Sequence, residues 1–562
     1  MQRNIKTAML FMLLLSVTIG CKKSILDEKA LTFLSPDALK DKPAYESVLA
    51  ALHNSARHEN FGQDGRERYS MLLGTDLARI GDKDLNEWRD YSQEITPSGN
   101  RTVNYWWNLG YTDLLPKANI IISTLQQATT ISQADRNALE AEARFFRAYA
   151  YNMLVNIFGG VPIVDKFDVD PKTTFTRASK NEVYAFAQSD LEFAVQHLPA
   201  TAQAGRITKG AANHLLSEVY ISLKQWDKAI EAASAVIGSP QYKLMQQNER
   251  FGKYRDSIGT NIFWDLFREG NFNNPLNKEA IWVQQFEFGA PGGSSGAFGT
   301  PVGGANFFRG WARWFSARDP DNKDAMTTGG AVPLAQTNRF GDRIGDSLNR
   351  GVGWIRPTNY WAYTVWTDPN DIRNTNSNVK RIWYYNNRTS AYFGQPVTKH
   401  PFLDTMQHIY PNPTKFEGTN PGGFGSPNNQ DFYKFRLAET YLLRAEAYLG
   451  KGDRGNAAAD INAVRRRAGA ADVASGNVTI DYILDERARE LYGEEPRRRT
   501  LVRLGKLVER TRLYNNYLTG HPNGATHMGV GATIQAHHEL YPIPQQVINA
   551  SVGGGITQNP GY

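Results

Sequence analysis

Two stretches of this chain, 228 residues apart, repeat one another without a gap: "SEVYISLKQWDKAIEAASAV" from Ser217 and "AEAYLGKGDRGNAAADINAV" from Ala445. Glu218 aligns with Glu446, Tyr220 with Tyr448, Ala229 with Ala457, Ala235 with Ala463 and Val236 with Val464. Each copy reads as a helix, a short polar turn and a second helix, with alanine where two helices must approach closely. A hairpin of this tetratricopeptide type cannot bury its apolar face alone and needs neighbouring hairpins to stack on. The repeat therefore predicts a mainly α fold in which two distant parts of the sequence pack together across an insertion.

The flanking sequence extends that prediction. In "SQADRNALEAEARFFRAYAYNMLVNIF", from Ser132 to Phe158, Leu139, Ala143, Phe146, Ala150, Met153 and Ile157 fall on one helical face. Ser132 with Asp135 marks its start, and Gly159, Gly160 and Pro162 mark its stop. Further helices are predicted from "SKNE" (Ser179 to Glu182) to Pro199, from about Thr208 to Lys224, and from Trp226 to Ile237. Between about 240 and 430 the character changes. "GAPGGSSGAFGTPVGGANFFRG" and "NPTKFEGTNPGGFGSPNNQ" read as loops, and "AIWVQQF" and "KRIWYY" as short strands. With this many Trp and Tyr, disorder is not expected. The expectation is one domain over 21–562, with helical elements at about 45–240 and 430–515 and a loop-rich ligand-binding insertion at about 240–430 containing a few short strands.

The only cysteine, Cys21, closes the stretch "LLLSVTIGC". It has no partner for a disulfide or a thiolate metal cage. Arg3 and Lys6 followed by an apolar run from Ala8 to Val17 give the charged start and apolar centre of an export signal over residues 1–20, too short for a comfortable permanent span. Gly20 before Cys21 resembles a bacterial lipoprotein signal, in which the new N-terminal cysteine is acylated; an ordinary cleaved signal is the alternative. Without Arg3 and Lys6 the net charge falls from +7 to +5. The densest basic patch, "EEPRRRTLVRLGKLVER", interleaves acids and reads as a solvated helix face, so nucleic acid is not an expected partner.

Five spaced motifs resemble the SusD/RagB-like nutrient-binding lipoproteins of the Bacteroidetes outer membrane. They are "NYWWNLGYTDLLPKANIII", "AEARFFRAYAYNMLVNIFGGVPIV", "YKFRLAETYLLRAEAYLGKGDRGNAAADINAVRRRAG", "ERARELYGEEPRRRTLVRLGK" and "YPIPQQVINASVGGGITQNPGY". The chain departs from the family at Glu495, where Gly is common, and at Thr500, where Asp is common; Asp27 and Glu28 lie late after the cysteine for a surface-export tag. The resemblance implies tetratricopeptide-like hairpins supporting a loop-rich binding half, lipid-anchored at the outer membrane through Cys21. It further implies a SusC-like TonB-dependent transporter as partner, an oligosaccharide or sometimes a peptide as ligand, and no catalysis or cofactor.

A sugar site needs flat aromatic faces beside polar groups that meet hydroxyls. Three clusters supply both: "GTDLARIGDKDLNEWRDY", with Asp76, Arg79 and Trp88; "FFRGWARWF", with Trp311, Arg313 and Trp314; and "GWIRPTNYWAYTVW", with Trp354, Tyr360, Trp361, Tyr363 and Trp366. If the last is extended, Trp361 and Tyr363 share a strand face. Asp76 and Arg79 lie where the family tends to place polar ligand contacts, or they pair with each other. Trp107 reads as core, and Trp106 is undecided. Glu486, Glu490, Glu494 and Glu495 suggest glycoside hydrolysis, but helical spacing alternates them with Arg487 and Arg489, which suits intra-helix ion pairs. "DPDNKD" (Asp319 to Asp324) lacks the glycine of a calcium loop, and adjacent His537 and His538 are no helical metal pair, so no metal is expected. A surface nutrient binder is the leading reading; a lipid-anchored scaffold of helical hairpins and a surface glycosidase are the alternatives.

Overall fold

The computed structural model describes residues 39–60, 67–81, 88–98, 101–168, 173–286, 318–324, 353–385, 387, 389–403, 407–416, 430–516, 518–520 and 526–562. Its principal helices are α1 (Lys42–Arg57), α2 (Arg101–Asn108), α3 (Leu115–Leu125), α4 (Gln133–Phe158), α5 (Lys180–His197), α6 (Lys209–Ser222), α7 (Trp226–Ile237), α8 (Leu437–Gly450), α9 (Arg454–Arg467), α10 (Ile480–Leu491), α11 (Arg497–Arg503) and α12 (Leu507–Tyr514). The strands that matter for the site are β1 (Ala78–Ile80), β2 (Ala280–Gln284), β3 (Ile355–Pro357) and β4 (Phe432–Arg436). The fold is mainly α, as the repeat predicts.

Local signals set the helix starts. The Ser132 hydroxyl accepts from the Asp135 N–H at α4, and Ser179 and Glu182 form a reciprocal capping box at α5. From Leu139 onward almost every residue of α4 is buried, as expected of a helix enclosed on all sides. It packs against α1, α3 and α5, and α11 closes over it. From α4 the helices stack in series: α5 on α4, α6 on α5, α7 on α6, α8 on α7, α9 on α8.

The α7–α8 contact joins the two copies of the repeat. There the Arg444 guanidinium donates to the Ser234 hydroxyl at 2.9 Å, Lys451 pairs with Asp227, and the Trp226 ring lies against Gly450. The insertion leaves after α7 and returns through β4, which pairs antiparallel with β2, so both its ends are tied to the helical stack.

α4 stops where the motif "FGGVPI" requires it. Gly159 has φ +76°, and a Cβ on Gly160 would lie 2.3 Å from the Ala178 carbonyl oxygen, which is backbone and has little room to move. We expect Gly160→Ala to cost about 1–3 kcal/mol of stability, read as a lowered urea midpoint; an unchanged midpoint would show that the 178 segment moves freely.

The basic patch corrects the sequence reading. Arg497, Arg498 and Arg510 are among the most completely buried large side chains, not a solvated face. Their acceptors come from far along the chain: Arg497 and Arg510 share Asp76, and Arg498 donates to the His538 carbonyl and to Tyr91. The glutamates of α10 are likewise held from outside. Arg489 pairs with Glu486 within the helix at 2.8 Å, but Arg373 and Arg465 reach the same carboxylate, and Glu490 is met by Arg373, Arg436 and Arg467. Glu495, where the family often has Gly, accepts from Arg487, Arg497 and the Thr500 hydroxyl at 3.2 Å. The two departures therefore act together: Glu495 brings a carboxylate into the cluster, and Thr500 donates to it.

Candidate functional site

β1 and β3 form an antiparallel ribbon with Arg79 opposite Arg356. It is extended by Gly81 N–H donating to Trp354 at 2.8 Å, by Thr358 N–H to Leu77 at 2.8 Å, and by the Thr358 hydroxyl to the Asp76 carbonyl at 2.7 Å. This pairing brings the first and third aromatic clusters of the sequence side by side. Trp311, Arg313 and Trp314 of the second cluster, and Cys21, lie outside the described residues.

"YWAYT" is not extended. Tyr360–Thr364 winds as a short π-helix, so Trp361 and Tyr363 do not share a strand face. Trp361 points into the core, donates its indole N–H to the Ala488 carbonyl at 2.8 Å and stacks on Tyr492 at 3.9 Å. Its assignment as a ligand contact is corrected: with both ring and N–H engaged and the side chain buried, it supports the site from below. Tyr360 is also structural, stacked on Tyr514 at 3.8 Å and accepting from Arg510 at 2.9 Å. Tyr363 points outward and is 59% exposed. The Arg381 guanidinium, which burial pulls below its ordinary pKa, sits 5.6 Å from the Tyr363 ring centre. Trp354, half-buried, meets Tyr69 edge-on on the same ribbon.

The first cluster is corrected in the same way. Asp76 has no exposed surface. Both its oxygens accept from Arg497, at 2.9 and 2.7 Å, and one accepts from Arg510 at 2.8 Å. Burial alone would raise its pKa; the Arg497 and Arg510 guanidiniums more than offset that and hold it below the ordinary range. Trp88 is 2% exposed, has φ +57°, covers Gly74 and meets Tyr91 edge-on, which makes it core. Arg79 is nearly buried within the ribbon; burial pulls its pKa to about 9, with nearby Tyr363 opposing the shift. It stays protonated at neutral pH. Trp106 and Trp107 are both buried.

Sequence reasoning missed Arg381, because "KRIWYY" reads as strand and carries no aromatic-platform signal; only the fold sets its guanidinium over Tyr363. The carboxylates weighed for hydrolysis are committed to basic side chains: Glu486, Glu490 and Glu495 as described above, and Glu494 to Lys415 at 2.6 Å and Arg436 at 2.9 Å. Asp319 of "DPDNKD" accepts from the Asp321 and Lys323 N–H groups and from the Ser390 hydroxyl, so it caps a turn. Among the described residues no group of three or more His, Cys, Asp or Glu side chains is placed to hold a metal, and no helix is long and apolar enough to cross a membrane.

Residues 353–562 match the model of the SusD family, and residues 35–221 match a second model described as "Starch-binding associating with outer membrane". The chain belongs to the SusD/RagB family. Among its relatives, the starch-binding protein SusD of Bacteroides thetaiotaomicron is 28% identical over 508 residues, spanning 83% of this chain and 80% of that one. SusD-like protein P2 of Formosa agariphila is 30% identical over 241 residues, 41% of this chain and 45% of that one. A solved laminarin-binding SusD-like protein superposes with a TM-score of 0.67 at 22% identity, covering 93% of this chain and all of that one. Surface glycan-binding protein A of Bacteroides thetaiotaomicron, solved with laminarihexaose, gives 0.63 at 19% identity, with 92% and 99% coverage. These structures share the SusD fold, and the β1–β3 ribbon falls in a chain of that family whose described aromatic clusters are mostly core.

Proposed function

We propose that this SusD-family chain is a cell-surface lipoprotein that captures an oligosaccharide and delivers it to a TonB-dependent outer-membrane transporter. Family membership carries the reading: one relative is named for starch binding, and solved relatives are named for laminarin binding and for a complex with laminarihexaose. The outward Tyr363 ring with Arg381 beside it supplies the flat face and the donor that a sugar needs. Acylation of Cys21 supplies the anchor, and Trp311, Arg313 and Trp314 are further proposed ligand contacts. The protein acts by binding alone; the committed state of Glu486, Glu490, Glu494 and Glu495 supports this, since none is left to act as acid or base.

The test is calorimetry of the soluble form beginning at Lys22 with starch and laminarin oligosaccharides. One glycan class is expected to bind, Tyr363→Ala to weaken it about tenfold, and Trp311→Ala with Trp314→Ala to abolish it. Peptide binding in place of glycan binding would replace the ligand class. Turnover of the glycan would overturn the non-catalytic reading.

A further inference from the structure

We infer that the chain has a second small-molecule site, apart from the Tyr363 face, that takes a single aromatic ring carrying a polar substituent. Where α2 passes into α3, residues Leu109–Leu114 wind as a π-helix. Such bulges often reshape a helix at a functional surface. Beside it lies a half-open cavity of about 490 Å³, closed by the 162–168 segment and by Phe175, Val547 and Ile556. Its size falls in the range of small-molecule pockets.

The wall on the helix side is a fixed aromatic face. Tyr111 is stacked on buried Trp107 at 4.6 Å and 28°, and its hydroxyl donates to the Pro162 carbonyl at 2.5 Å. One ring face is thus spent on Trp107, and the stacked pair together lines the cavity. Ring and hydroxyl are both held, so a ligand stacking there loses its own freedom but orders nothing in the protein.

Several polar groups of the opposing segment are already used. The Val164 carbonyl accepts from Asn119 at 2.8 Å and from Tyr151 at 3.1 Å, and its N–H donates to the Tyr151 hydroxyl at 2.6 Å. The Asp165 carbonyl accepts from Arg147 at 2.6 Å, and the Phe167 N–H donates to the Ser123 hydroxyl. A sugar placed against this segment would lose water from hydroxyls that the engaged Val164 and Asp165 carbonyls do not meet, at a desolvation cost that stacking alone does not recover. The charged side chains of the lining, Asp165, Lys166 and Asp168, are all exposed. An apolar ring inside, with one polar substituent directed outward, satisfies both regions.

The test is fluorine NMR of the protein with 4-fluorophenol. Saturable line broadening with a dissociation constant of about 1 mM or tighter is expected. Ile163→Trp and Val547→Trp fill the cavity from its rim, and each should weaken binding at least about tenfold. If either variant melts early, competition on the unaltered protein decides: phenol should displace the probe, and laminarihexaose at equal concentration should not. Absent broadening, equal binding in well-folded filled variants, or displacement by the oligosaccharide would each overturn the proposal, and none bears on whether glycans bind at the Tyr363 face.

Discussion

Glu490→Gln lowers the free energy of unfolding by about 3–5 kcal/mol, read as a fall in the urea midpoint. Glu490 is fully buried on α10, and three guanidiniums converge on it: Arg436 at 2.6 Å, Arg373 at 2.9 Å, and Arg467. The neutral amide keeps the shape but leaves three buried cations with less compensating charge, and the loss of one partner from such a network is what makes it costly. These arginines come from the insertion, from β4 and from α9, so the carboxylate joins the loop-rich half to the helical stack. Glu509→Gln is the control; it pairs with Lys506 at the surface and should leave the midpoint unchanged. A midpoint in Glu490→Gln equal to that of the control would show that the network adds nothing.

The same network fixes the acid limb of stability. Burial alone would raise the pKa of Glu486, but Arg489, Arg373 and Arg465 more than offset it and bring it from 4.5 to about 2. Glu439, buried beside Arg487 and His214, is likewise brought to about 2. A carboxylate whose folded pKa is depressed adds stability above its unfolded value and loses it as pH falls towards the folded one. The urea midpoint should therefore be level from about pH 5 to 7 and fall steadily from about pH 4.5 towards 2. A midpoint level down to pH 3 would contradict this.

Asp76→Ala is the second large effect, again about 3–5 kcal/mol. It removes the shared acceptor of Arg497 and Arg510 and leaves two buried guanidiniums facing a void. Its diagnostic value lies in what it should not do. Asp76 is a positioning residue: it holds the strand that carries Arg79 against α11 and α12. At a temperature where the variant remains folded, oligosaccharide affinity should change far less than in Tyr363→Ala. An affinity loss equal to that of Tyr363→Ala, without a loss of stability, would return Asp76 to the ligand site.

The difference between Asp76 and Tyr363 marks the limit of sequence reading for this protein. Helix starts at Ser132, Ser179 and Thr208, the stop at Gly159, and the pairing of the two hairpin repeats were all legible, and so was the family. Each of those signals is local or periodic: a cap, a 3.6-residue pattern, an echo. The aromatic clusters were legible as chemistry but not as places. Trp361 and Tyr363, two residues apart, went to opposite fates because a π-helical turn replaced the strand that alternation assumed. "EEPRRRTLVRLGKLVER" looked solvated because its partners are invisible from within it; Asp76 lies 421 residues from Arg497. By itself the sequence determined where helices begin, end and repeat, because backbone geometry is set by neighbours within a turn or two. The tertiary structure alone decided which charges and rings are buried, because desolvation is repaid only by partners the fold brings from far along the chain.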